Sequence, residues 1–300
     1  MHIPDGFLTP PVWSTLDVLA IPAVSMVARK ARADVDESRI PLLGVMGAFV
    51  FAAQMINFPV GLGTSGHLVG GTLLACILGP GAAAMVMTAI LAIQALVFQD
   101  GGIVALGPNV LNMAFAGVFA GYLPYHYFGG RWRRGAIFAG AFLSVLVSAL
   151  MALSELLLSG VRMPPGILWV SLALFAASAI VEGLITVAAI EAIGRLQPSW
   201  LREGAGVGSP VLLTIGLAAV FLAGVGITVA SAAPDGIWKL AKQTGIAEQA
   251  RTLIQTPLAS YEIHGLQGGW WGKAAAGLAG VVLVFAAGMV LARIMRRRGA

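Results

Sequence analysis

Charge is what this 300-residue chain has least of. Asp, Glu, Lys and Arg together make up 10% of it, where a soluble domain carries about a quarter. That leaves too little polar surface to keep a globular fold of this size in water. A single cysteine, Cys76, sits in an apolar run, which excludes an internal disulfide framework and any cysteine-based metal cluster. It reads as a small buried hydrophobe. No G-x-x-x-x-G-K-[ST] occurs, so the chain does not hydrolyse ATP through a P-loop of its own. The first residues, MHIPDGFLTPP, lack a basic stretch followed by an apolar one. They read as retained in the mature protein and not as a signal peptide.

What the chain has instead is apolar length. Hydrophobic residues make up 58%, and several uninterrupted runs approach the roughly 20 residues that cross a bilayer as a helix. They do not alternate with period two, which argues against a β-barrel. The expected fold class is all-α: a polytopic membrane protein with a core of about seven segments and two further transmembrane helices. The predicted spans are about 12–28, 42–58, 68–79, 81–98, 109–124, 136–157, 167–193, 211–230 and 271–292. The segment 68–79 is short for a crossing and also reads as part of a broken helix. Residues 59–66, just before it, read as a Gly-rich surface segment.

A change of composition at 201–210 (LREGAGVGSP) reads as a linker. It divides a first domain at 1–200 from a two-span accessory domain at 211–300. The second part holds a mixed polar stretch, 231–268, in which 235–250 has the pattern of a short amphipathic helix. The net charge of +5 lies in short connecting segments and at the C-terminus. Placing the clusters at 29–39, 131–134, 195–202 and the terminal RRR on one side satisfies the positive-inside rule. The N-terminus, 59–67, 99–108 and 231–268 then face outward and the C-terminus is cytoplasmic. The basic residues are topology signals beside anionic lipid, and nucleic acid is not an expected partner.

Candidate chemistry is confined to few residues. The histidines are His2, His67, His126 and His264. His126 lies beside the basic RWRR cluster and reads as interfacial; His264 reads as surface, with a minor claim as a ligand. His2 stands apart on coordination geometry. The α-amine of Met1, the amide of His2 and its near ring nitrogen can close five- and six-membered chelate rings around one ion. Such a nitrogen set suits Ni(II), Co(II) or Cu(II), and a planar four-nitrogen field favours nickel or copper. The fourth donor must come from elsewhere, and His67 is the other outward histidine before the linker. Pro4 and the Asp5-Gly6 pair turn and stiffen the terminus. Polar residues inside apolar runs are Gln54, Asn57, Gln94, Asn109, Asn112, Glu155 and Glu182; such groups need partners in hydrocarbon and often mark functional paths. Asn109 and Asn112, three apart, fall on one helical face. They read either as supports of the site or as helix-packing contacts.

MHIPDGFL at 1–8, GTSGHLVGG at 63–71 and GPNVLNMAFAG at 107–117 resemble the substrate-capture subunits of energy-coupling-factor nickel and cobalt transporters. Residues 205–300, with SAAPDGIWKLA at 231–241 and PLASYEIHGL at 257–266, resemble the small second subunit of those systems, fused on. The resemblance implies a metal site of Met1, His2 and His67, with Asn109 and Asn112 behind it. Asp235 is not assigned a ligand role, because Ile237-Trp238 stands where Leu-Glu is usual. It also implies a multi-pass protein of the plasma membrane, partnered by a transmembrane coupling subunit and two cytoplasmic ATPase subunits. The cargo is Ni(II) or Co(II), nickel favoured; there is no permanent cofactor and no covalent chemistry. The rival expectations are a gradient-driven secondary metal transporter, with Glu155 and Glu182 as relay groups, and a membrane metal-sensing or assembly protein.

Overall fold

The apolar runs form helices because a helix satisfies every internal main-chain polar group within the segment. The structure, a computed structural model, describes residues 1–31, 37–196, 209–263 and 269–295. Helices are α1 Pro10–Ala31, α2 Ile40–Gln54, α3 Gly71–Leu78, α4 Pro80–Ile93, α5 Leu106–Asn109, α6 Val118–Phe128, α7 Arg133–Leu158, α8 Pro165–Leu196, α9 Ser209–Gly224, α10 Gly236–Thr244 and α11 Trp270–Met295. Wider π-helical turns continue α4 through Gln94–Phe98 and join α5 to α6 through Val110–Gly117. Among the described residues, six helical stretches are long and apolar enough to span a bilayer, and α2 and α9 are shorter apolar helices. The protein is an all-α membrane protein. The linker predicted at 201–210 lies almost wholly outside the described residues, as do the terminal RRR cluster and His264.

One expected crossing is not a full-length helix. Helix α3 has eight residues, which rise about 12 Å against a hydrocarbon core of about 30 Å. The Gly79-Pro80 break ends it, with Gly79 at φ 84°. The chain leading into α3, residues 67–70, is irregular, and side chains of α2 and α8 meet its polar groups. Irregular backbone in a membrane protein is stable where the protein itself supplies the partners.

The expected surface segment at 59–66 is a hairpin of β1 Phe58–Gly61 and β2 Thr64–Gly66, antiparallel, with Phe58 opposite Gly66. Thr64 and Ser65 are buried. A third segment reaches this hairpin from the second part of the chain. Ser65 pairs with Asp235 in a parallel bridge, its N–H donating to Pro234 O at 2.9 Å and its hydroxyl to Ala233 O at 2.7 Å.

The second part packs on the first through α2, which lies against both α9 and α11. Gly288 brings two backbones close: a Cβ there would lie 2.9 Å from Gly44 Cα. Small residues at such a crossing let two backbones approach in a membrane. The polar stretch folds into α10 and short 3-10 turns, with Ile237, Leu240 and Ala241 of α10 buried. It covers the N-terminal segment, Trp238 meeting Phe7 edge-on at 5.4 Å.

Candidate metal centre

The first eight residues are held inside the protein. Ile3 and Phe7 are buried anchors, and the chain around them is pinned by its own polar groups. Ile3 N–H donates to Asn109 Oδ1 at 2.8 Å, and Asn109 Nδ2 donates back to Ile3 O at 3.0 Å. Gly102 N–H donates to the same carbonyl at 2.8 Å. The Asp5 carboxylate accepts the N–H groups of Ile103 and Val104, each at 2.9 Å. Arg251 N–H, from the second part, donates to Asp5 O at 2.9 Å.

This clamp carries the α-amine of Met1 to His67. The amine lies 2.6 Å from His67 Nε2 and donates to Asp235 Oδ2 at 2.8 Å. His67 Nδ1 lies 3.0 Å from Leu68 O; donating there, it leaves Nε2 as the lone-pair nitrogen facing the amine. The loop behind His67 is fixed from two sides. Glu182 accepts the N–H of Val69 at 2.7 Å and of Gly70 at 2.8 Å, and Gln54 Nε2 donates to Val69 O at 2.8 Å. The rings of His2 and His67 lie parallel within 3°, their centroids 5.4 Å apart. His2 Nδ1 faces Asp100 Oδ1 at 3.2 Å, and His2 Nε2 is buried without a partner.

The charges around this cluster favour a neutral imidazole. Burial, then the positive amine and His2, push the His67 pKa down to about 3, against a smaller opposing pull from Asp235. Burial works to raise the Asp235 carboxyl, but the amine and His67 outweigh it and hold it below its usual value. Burial acts the same way on Asp100, and there His2 and the Tyr261 hydroxyl outweigh it and hold the carboxyl low. A lone-pair nitrogen, an amine and two carboxylates thus share one spot, with His67 and both carboxylates half-buried, an arrangement able to receive a cation. Among the described residues, no group of three or more His, Cys, Asp or Glu side chains forms a metal cluster.

The model of the family described as cobalt uptake substrate-specific transmembrane region matches residues 2–200. The chain belongs to this family. Residues 209–297 match the PDGLE domain. A relative in Archaeoglobus fulgidus that carries the name fused nickel transport protein NikMN is 33% identical over 99% of both chains. The cobalt transport protein CbiM of Acetoanaerobium sticklandii is 36% identical over 53% of this chain and 67% of its own. A crystal structure of a truncated transition metal transporter, 32% identical, superposes with a TM-score of 0.58 over 65% of this chain and 99% of that one. The protein is accordingly a member of a transport family, with a second domain fused on.

Of the residues singled out in the sequence, Met1, His2 and His67 come together, and Asn109 holds the main chain of Ile3. Asn112 is not part of this group. Its Nδ2 donates to Glu155 at 2.8 Å. The spacing that places 109 and 112 on one face holds for an α-helix, whereas 110–117 is π-helical. The i→i+5 winding rotates Asn112 away from Asn109. His126 sits among aromatic rings at the end of α6, 5.8 Å from Tyr122. Asp5, Asp100, Asp235 and Tyr261 were not expected at the site. Asp235, set aside from the sequence because of Ile237-Trp238, touches the amine itself. The signals that pointed to these residues were thin: an Asp-Gly pair in an outer loop for Asp100, and the repeat of Pro-Asp-Gly for Asp235.

Proposed function

We propose that this protein captures Ni(II) or Co(II) outside the cell for an energy-coupling-factor importer. Its metal ligands are the amine of Met1, the amide and ring nitrogen of His2, and His67 Nε2. One observation carries the reading: the chain buries its own terminus so that the amine lies 2.6 Å from His67 Nε2. Metal–nitrogen bonds of roughly 2.0–2.1 Å at right angles place neighbouring donors about 2.9 Å apart, so the two nitrogens already stand near the edge of a square plane. Chelation by His2 uses Nδ1. Turning its ring 180° about Cβ–Cγ exchanges Nδ1 with Cδ2 and Nε2 with Cε1. This releases Nδ1 from Asp100 and brings the Nε2 edge of the ring to the side that Asp100 occupies. Asn109 supports the site by holding Ile3 in register.

Nickel is the favoured cargo. A planar nitrogen field suits it, and the relative that shares the fused two-part arrangement over its whole length is named for nickel. The division at 201–210 separates capture from an accessory domain. The N-terminus lies outside and the C-terminus in the cytoplasm. A transmembrane coupling subunit and two ATPase subunits supply movement and energy, and there is no permanent cofactor. The two acids considered for a proton relay already have partners, Glu182 on two main-chain N–H groups and Glu155 on Asn112, which favours the ATP-driven reading.

The test is metal binding by the purified full chain, nickel and cobalt side by side. The native protein is compared with a variant carrying one extra residue before Met1 and with His67→Ala, and intact mass verifies that the native chain starts at Met1. We expect each change to weaken binding at least 100-fold. Normal binding by the extended protein overturns the reading.

A further inference from the structure

All the proposed ligands lie in the first part of the chain, yet a polar path that connects them runs through the second. Asp100 touches His2 Nδ1 through Oδ1 at 3.2 Å and receives the Tyr261 hydroxyl on Oδ2 at 2.6 Å. Gln94 Nε2 donates to the Tyr261 oxygen at 3.3 Å and to Gln54 Oε1 at 2.8 Å. Gln54 Nε2 then donates to Val69 O at 2.8 Å, two residues beyond His67. Tyr261 closes this circuit between the two histidines, and it is the member that comes from the second part.

Its placement is enforced by packing and held against local preference. The ring stacks on Phe98 at 4.7 Å, 16° from parallel, and lies 6.1 Å from Phe51. Ser260 and Tyr261 both adopt the left-handed region, at φ 55° and 58°. Non-glycine residues avoid that region, and a bulky one stays there only when its surroundings over-determine it. Burial and the neighbouring Asp100 charge push the Tyr261 pKa well above 10, so the phenol keeps its proton and remains a donor.

We propose that Tyr261 is a positioning residue of the metal centre: its hydroxyl fixes the Asp100 carboxylate, and that carboxylate aligns the imidazole of His2. The fused part thereby tunes a site to which it gives no ligand. The inference rests on the reading of His2 as a ligand. With the ring turned for chelation through Nδ1, Asp100 faces its other edge; a carboxylate behind a metal-bound imidazole sets the ring's orientation and strengthens it as a donor, and loss of such a partner typically lowers metal affinity 10- to 100-fold.

The test uses the full chain and Ni(II). Tyr261→Phe keeps the ring and removes the hydroxyl. We expect about a tenfold loss of affinity and, at saturating metal, a shift of the ligand-field absorption bands. In a double-mutant cycle, Tyr261→Phe added to Asp100→Asn should lose little beyond Asp100→Asn alone, because the tyrosine acts through the carboxylate. Thr256→Val is the control. Its hydroxyl also joins the second part to the first, donating to Val97 O at 2.6 Å, but it leads to no ligand, so the spectrum should not move. If Tyr261→Phe matches wild type in affinity and spectrum, or its loss adds fully to that of Asp100→Asn, the inference falls while the ligand set stands. If the N-terminally extended protein binds nickel normally, the ligand set falls and takes the inference with it.

Discussion

Pro-Asp-Gly occurs twice in this chain, at 4–6 and at 234–236, and the same three residues do different work. Asp235 is followed at once by a helix-forming segment. It caps α10 by accepting Trp238 N–H at 2.8 Å with Oδ1, as aspartate does at helix starts. Its other oxygen remains for the amine of Met1. Asp5 has no helix directly after it, since α1 begins at Pro10. Its two oxygens reach the N–H groups of Ile103 and Val104, closing a contact almost a hundred residues away. A carboxylate after proline is a local cap when the following residues coil and a long-range clamp when they do not.

This comparison ranks the substitutions that would break it. Asp5→Ala should have the largest effect. Two N–H groups lose a charged acceptor, each such bond being worth roughly 1.5–3 kcal/mol, and the terminus comes loose from the 99–105 loop. Nickel affinity should fall by about two orders of magnitude, read by calorimetric titration. The glycines come next. Gly6 sits at φ +94°, and a Cβ added there would overlap the main-chain oxygen of Gln249. At Gly236 the nearest obstacle to a Cβ, 2.7 Å away, is the Phe175 ring, a side chain able to move. Gly6→Ala should therefore lower the thermal unfolding temperature clearly more than Gly236→Ala. Asp235→Asn should be milder for binding, about tenfold, because Asn retains the helix cap while losing its charge beside the amine.

The smallest effect concerns protons. Ligation must displace protons from the amine and the amide, so affinity rises with pH. His67, held near 3, is already neutral at pH 5–8 and adds none. The slope of log affinity against pH should thus be set by the amine, the amide and the His2 ring, with nothing added by His67. The same shift bears on stability of the metal-free protein. A histidine whose folded pKa is depressed stabilises the fold in full above its unfolded value of 6.5, and that contribution shrinks as pH falls toward 3. Melting curves between pH 4 and 8 should decline toward acid, and less so in His67→Ala.

The helices were legible because apolar length is a local property. The runs at 81–98, 136–157 and 167–193 fall inside α4 with its π turn, α7 and α8. The run at 68–79 was also apolar, but only the structure reveals that its helix is just eight residues long. Its remaining backbone is supported by Glu182 and Gln54, whose partners lie 113 and 15 residues away. Asn109 and Asn112 look alike in the sequence and part in space, because a π-helical stretch replaces the expected α-helical turn.

By itself, the sequence determined that this is a helical membrane protein and put Met1 and His2 forward as candidate nitrogen donors, since hydropathy and the chemistry of Met-His are carried by adjacent residues. Only the tertiary structure decided what surrounds those donors. Asp235 meets Met1 across 234 residues and Tyr261 meets Asp100 across 161. A carboxylate or phenol shows nothing in its own neighbourhood of which distant group it will satisfy. That is settled when α2, α9 and α11 pack together and press the second part of the chain over the first.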